Sequence, residues 1–142
     1  MIDGKVAVAI VGCGGMGGGH AVAISTGSGQ ALWMTDGSKG RELLPGDTDL
    51  KEKMVLAGTY DIKEERQEWA RKQGFFTYGS FEEILSDDRV DVVLVATPND
   101  SHKELSIQAM RAGCHVLLEK RYPHHGAVAF AHCGKALFEV LK

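Results

Sequence analysis

Val6-Ala-Val-Ala-Ile-Val11 runs without a break into Gly12-Cys13-Gly14-Gly15-Met16-Gly17. Six apolar residues with no polar alternation, several of them β-branched, describe a strand buried on both faces. The glycines end it abruptly. The apolar-rich stretch from His20 to Ile24 then predicts a helix that starts within the glycines and stops near Gly27. The spacing is G-x-G-x-x-G, and each glycine has a separate task. Gly12 makes the tight turn, Gly14 lets a pyrophosphate approach the backbone, and Gly17 lets helix and strand pack closely. Gly15 and Met16 then place their backbone N–H groups at a helix N-terminus, where an anion is favoured. Glycine-rich turns are common, so the context beyond the loop has to support this reading.

The rest of the chain supplies that context. Met54 to Tyr60 reads as the next strand, and Asp61 with Glu64 has the spacing of a capping box ahead of a polar helix from Glu65 to Gln73. Gly74 stops that helix, and Phe75 to Thr77 is a short strand. Ser80 and Glu83 repeat the capping-box spacing, and Val90 to Ala96 is the clearest buried strand. Pro98 breaks it. Asp100 or Ser101 caps a further helix, Gly113 fits its left-handed end, and His115 to Glu119 is a fifth strand. Strands alternating with helices imply parallel pairing through right-handed crossovers. The expected fold class is therefore α/β, a Rossmann-type doubly wound parallel sheet of about five strands in the order 3-2-1-4-5. Residues 1–123 form this domain, with 31–53 as an insertion containing a weak strand, Ala31 to Thr35. Residues 124–142 form an atypical tail in which a helix from about Ala127 to Leu141 is expected.

Bulk properties exclude several classes. A chain of 142 residues holds one α/β domain with a real core, and 44% hydrophobic with 25% charged residues is an ordinary globular balance. A formal charge of −3 gives no basic surface for nucleic acid or anionic lipid. The apolar runs are of strand length, short of the ~20 residues of a membrane span. Cys13, Cys114 and Cys133 have no C-x-x-C spacing, which fits free thiols in a reducing, cytoplasmic setting.

The fold logic calls for an acid after the second strand, to meet the ribose hydroxyls of a dinucleotide. Asp36 stands nearer the expected spacing of ~20 residues, whereas Asp61 demands an insertion. Asp61 is preferred because it ends a better strand and precedes a real helix, while Asp36 runs into Gly37-Ser-Lys-Gly40. A carboxylate there repels a 2′-phosphate and favours NAD over NADP, and Lys63 nearby weakens that preference.

Four segments together resemble one family. They are Gly12-x-Gly14-x-x-Gly17-x-x-His20, then Tyr60-Asp61 with Glu65-Arg66 and Ala70, then Ala96-Thr97-Pro98-Asn99 with His102, and last Ala112-Gly113, His115-Val116 and Glu119-Lys120. Their order and spacing over residues 5–120 are similar to the N-terminal domain of the Gfo/Idh/MocA oxidoreductases. The resemblance implies that Thr97, Pro98, Asn99 and His102 lie along the cofactor, and that Glu119 and Lys120 reach its nicotinamide end. It implies for Lys120 a catalytic role, a positive donor stabilising the alkoxide that develops as hydride leaves a carbinol carbon. Family members supply a histidine and an aspartate from a second α/β domain. Here Arg121 replaces the proline that follows the family's glutamate-lysine pair, and Lys142 is the last residue. The expectation is a shortened product, altered in reading frame after Lys120, that binds NAD or NADP and a polyol or sugar only if a second domain is supplied. Self-association through the face that domain would cover is expected as well.

Bland readings stand beside these. His20 and His102 near helix starts fit structural roles. His124, His125, His132 and Cys133 lack the paired spacing of a zinc site, so no metal is expected. Cys13 is either a thiolate stabilised by a helix N-terminus or a small residue tolerated in a tight turn. The leading function is the cofactor domain of a sugar- or cyclitol-type dehydrogenase. The rivals are a non-catalytic dinucleotide-binding module and a methyltransferase using S-adenosylmethionine, against which Gly17 and the Thr97–Asn99 and Glu119–Lys120 segments argue.

Overall fold

In the computed structural model, which describes residues 1–27, 50–120 and 127–131, β1 (Val6–Val11) is the central strand of a five-stranded sheet. Ala7 to Ile10 are at most 1% exposed, because both faces of β1 are covered. Alternation divides the strand between two cores. Val8 and Ile10 join Leu94 under Ala21 and Ile24 of helix α1 (Gly15–Thr26). Ala9 and Val11 join Val93, Val95 and Val116 on the opposite face. That face is covered by Phe81 and Ile84 of α4 (Phe81–Ser86) and Ala109 of α5 (Asn99–Arg111).

The strand order is β2 (Met54–Tyr60), β1, β3 (Val92–Val95), β4 (His115–Lys120), β5 (Ala127–Ala131). The first four run parallel and β5 is antiparallel to β4. From β1 the chain moves outward to β2 and returns on the other side to β3. Strand order therefore reverses between β1 and β3, which opens a crevice beyond their carboxyl ends.

This departs from the expected order in two places. Phe75 to Thr77 lies beside β2 as foreseen, but only as a single bridge between Thr59 and Thr77, flanked by Thr59 N donating to Phe76 O and Tyr78 N to Thr59 O. The chain turns away at Gly79 because Ser80 already caps α4. At the other edge, Ala127–Ala131 is a strand where a helix was expected. The free edge of β4 offers a row of backbone donors and acceptors, and pairing from Lys120↔Ala127 to Val116↔Ala131 satisfies them. The rest of that expected helix, and the strand at 31–35, lie outside the described residues.

Ser80 Oγ accepts from Glu83 N, and the Glu83 carboxylate accepts from Gly79 N, so the capping box is real, displaced by one residue on its return arm. Gly27 closes α1 with φ 71°. Asp61, in contrast, does not cap α3 (Glu64–Lys72). The capping position is Lys63, with no side-chain cap. Likewise Pro98, rather than Asp100 or Ser101, precedes α5. A four-residue helix α2 (Leu50–Lys53) leads into β2. Among the described residues no helix is long and apolar enough to cross a membrane.

Candidate functional site

The crevice at the reversal of strand order is floored by the glycine loop. Gly12 has φ +94°, and a Cβ there would stand 2.8 Å from the Ala96 carbonyl carbon. Only glycine lets β1 turn this close to the end of β3. At Gly17 a Cβ would stand 1.7 Å from Gly12 O, so the first turn of α1 lies directly on the loop. Gly15 is the opposite case, since a Cβ there meets nothing within 4 Å and the backbone faces open space. No side chain caps α1 and no acid stands in its first turn, so the positive end of the helix is presented to the crevice.

Asp61, at the carboxyl end of β2, is turned inward. Its Oδ2 accepts from Cys13 N at 2.7 Å and from Arg66 Nη1 at 3.3 Å, and its Oδ1 accepts from Lys63 N at 2.9 Å. Its side chain is 4% exposed, so these three donors carry a nearly buried carboxylate and tie the glycine loop to β2. Its own backbone N–H donates to Gln67 Oε1, and Gln67 Nε2 donates to Tyr78 O. This is why the expected capping box fails: the carboxylate is occupied by the loop and the start of α3. Cys13 is buried, and burial pushes its thiol up, although the neighbouring Thr59 hydroxyl acts in the opposite direction. This placement favours the reading of Cys13 as a small residue that fits the turn.

Two hollows flank the loop. On the β2 side is an apolar groove of about 290 Å³, with Tyr60 and Ile62 on one wall, Pro98, Ser101 and Leu105 on the other, and Val11 and Gly12 beneath. Ile62 is 87% exposed, an unusual place for isoleucine until it is seen as a wall of this groove. On the β4 side a smaller hollow of about 100 Å³ is bounded by Gly15, Met16, Ala96, Thr97, Pro98 and Glu119. Arg66 borders both, and its guanidinium lies 3.5 Å from where a Gly14 Cβ would stand.

The turn after β3 is internally braced. Ser101 Oγ lies 2.7 Å from Thr97 Oγ1 and 2.9 Å from Pro98 O. The buried His102 ring pairs with the Thr97 carbonyl. His102 thus shapes the turn and lines neither hollow. Glu119, 8% exposed, pairs with the His20 ring across the crevice. The backbone of Asn99 begins α5 and that of Lys120 ends β4.

The sequence-derived Gly12, Gly14, Gly15, Met16, Gly17, Asp61, Thr97, Pro98 and Glu119 are therefore gathered at one crevice. Asp36, His124, His125, His132 and Cys133 lie outside the described residues. Among the described residues no three His, Cys, Asp or Glu side chains converge as a metal site. Arg66, Ile62, Leu105 and Ser101 are lining residues that the sequence did not single out as site residues. Ile62 was marked only by its place directly after the acid, Ser101 only as a candidate helix cap, and Arg66, in the first turn of α3, only as part of the family-like segment beside Asp61.

A parallel sheet whose order reverses above a glycine loop, with a helix N-terminus facing the crevice, defines an NAD(P)-binding domain of Rossmann type. The Gfo/Idh/MocA family, described as an oxidoreductase family with an NAD-binding Rossmann fold, matches residues 6–121. The chain belongs to that family. It is 33% identical over 81 residues to D-xylose 1-dehydrogenase (NADP(+)) of Hypocrea jecorina, a stretch that is 54% of this chain and 21% of that protein. Among solved structures, an NAD-binding protein from Listeria innocua is 38% identical with a TM-score of 0.61, covering 82% of this chain and 27% of that one. GenD2 from gentamicin A biosynthesis, in complex with NAD, is 28% identical with a TM-score of 0.60, covering 84% and 28%. The chain thus spans less than a third of the length of these relatives.

Proposed function

We propose that residues 1–123 are the nicotinamide-dinucleotide domain of a dehydrogenase of the sugar or cyclitol type, acting between the nicotinamide and a hydroxyl-bearing carbon. The observation that carries this reading is the uncapped N-terminus of α1, open at Gly15, which lines the hollow on the β4 side together with Met16, Thr97 and Glu119. The groove beside Ile62 and Leu105 fits an adenine ring, the backbone of Gly15 and Met16 fits the pyrophosphate, and the hollow at Thr97, Pro98 and Glu119 fits the nicotinamide half. His102 acts on that half through the braced turn, and the resemblance to the family carries the assignment of Asn99 to the cofactor and of Lys120 to the reacting carbon. A bound nicotinamide supplies the hydride chemistry. The chain's own residues bind it, orient it and exclude water from it.

Asp61 favours NAD over NADP, because a carboxylate beside the ribose repels a 2′-phosphate. Arg66, lying on that carboxylate, weakens the discrimination, so NADP is the second cofactor. A small polyol or sugar substrate, taken only if a second domain is supplied, self-association of the chain and a reducing, cytoplasmic setting in which Cys13 and Cys114 stay thiols complete the proposal.

Isothermal titration of the chain with NAD and with NADP tests the binding reading, and a folded sample that binds neither refutes it. Incubation with NAD and a panel of polyols tests the dehydrogenase reading. Binding without turnover identifies the chain as a dinucleotide-binding module only.

A further inference from the structure

Glu119 comes from β4 and His20 from the second turn of α1, 99 residues apart in sequence, and their side chains meet across the crevice. A carboxylate only 8% exposed needs a hydrogen-bonding partner to remain in place. The same helix presents its first turn, Gly15 and Met16, to the hollow that Glu119 lines. The pair therefore sets two walls of one cavity relative to each other. Neither residue lines the apolar groove on the β2 side, so the contact belongs to one half of the crevice alone.

We infer that His20 is a positioning residue for the nicotinamide half of the site. Its ring holds one oxygen of Glu119, and the other oxygen is left to accept from a ribose hydroxyl or carboxamide N–H entering the hollow. The inference rests on the dinucleotide reading above. It adds that the two halves of the cofactor are held independently, and that a helix residue touching no cofactor atom governs one of them.

The experiment compares NAD with ADP, which carries the adenine half and pyrophosphate alone, by calorimetric titration of the full chain as wild type, His20→Ala and His20→Gln. His20→Ala is expected to weaken NAD about tenfold, equivalent to about 1.4 kcal/mol, while ADP stays within about twofold. His20→Gln retains a donor of similar reach and is expected to recover most of the loss for NAD. ADP binding also reports that the glycine loop is intact in each variant. Equal losses for NAD and ADP, or no loss for either, overturn the positioning role while leaving the dinucleotide reading in place. A wild-type chain that binds ADP but gains nothing from the nicotinamide half overturns it too. A wild-type chain that binds neither ligand overturns the dinucleotide reading, and this inference with it.

Discussion

Replacing Gly17 with alanine is the sharpest test of how the loop is built. The new methyl would stand 1.7 Å from Gly12 O, 2.9 Å from Gly12 C and 3.1 Å from Ala96 Cβ. Real Cβ atoms do not come within 3.0 Å of such neighbours, so α1 must retreat from the loop by more than an ångström. Two of the three obstacles are backbone atoms and cannot rotate away. Overpacking of this kind costs about 1–3 kcal/mol, against a gain of about 1 kcal/mol from replacing glycine in a helix. A net loss of up to about 2 kcal/mol is expected, since two of the obstacles are backbone, read as a lower urea midpoint at unchanged slope. NAD affinity should fall more than tenfold, because the N–H groups of Gly15 and Met16 move with the helix. Gly15→Ala is the matched control. Its methyl meets nothing within 4 Å, so stability should hold or rise slightly, yet the methyl projects toward the phosphates and NAD binding should still weaken. The packing argument is refuted if Gly17→Ala unfolds and binds as wild type does, or if Gly15→Ala is the less stable of the two.

Asp61→Asn leaves one acceptor oxygen and turns the other into an NH2 that faces a donor, Cys13 N or Lys63 N, and should cost about 1–3 kcal/mol in denaturant melts. The same variant should shift the titrated preference toward NADP, whereas Arg66→Ala should shift it toward NAD with less than about 1 kcal/mol change in stability. Asp87, held by Arg89 first and by Tyr78 as well, lies well below the usual carboxylate range. Because its folded value is depressed, its stabilisation is complete above the unfolded pKa of about 3.9 and fades as pH falls below it. Asp87→Asn should therefore cost most stability at pH 7 and somewhat less at pH 3, where the unfolded chain is largely protonated but the folded carboxylate still ionised, and a urea midpoint shift that grew on acidification would refute the assignment. Burial raises the Cys13 and Cys114 thiols, so in a Cys133→Ser background both should resist an aromatic disulfide reagent until urea unfolds the chain. Rapid labelling of either in the native protein would contradict their placement.

The local signals that held are those whose physics is confined to a few residues. A two-sided apolar run, a glycine at a tight turn and a serine with a glutamate three residues on are legible in the sequence, and β1, Gly12 with φ +94°, and α4 follow them. The misreadings arose where a distant partner competed for the same groups. Asp61 has the spacing of a cap, but Cys13 N, 48 positions away, takes its carboxylate. Ala127–Ala131 sits in a helix-like pattern, but the open edge of β4 recruits it as a strand. Phe75 to Thr77 has strand composition, yet the next capped helix limits it to one bridge.

The site divides in the same way. From residue order alone came the glycine loop and the acid, because each sits at a strand end and the fold gathers strand ends at one edge, while the turn after β3 and the glutamate at the end of β4 came from the resemblance to the family. Tertiary structure alone decided that Asp61 faces inward, that Arg66 overlies it between two hollows, that His102 braces Thr97, and that His20 holds Glu119 across the crevice. Periodicity and spacing report what a residue can do for its own segment. Which partner a carboxylate or imidazole finds depends on where the other segments come to rest.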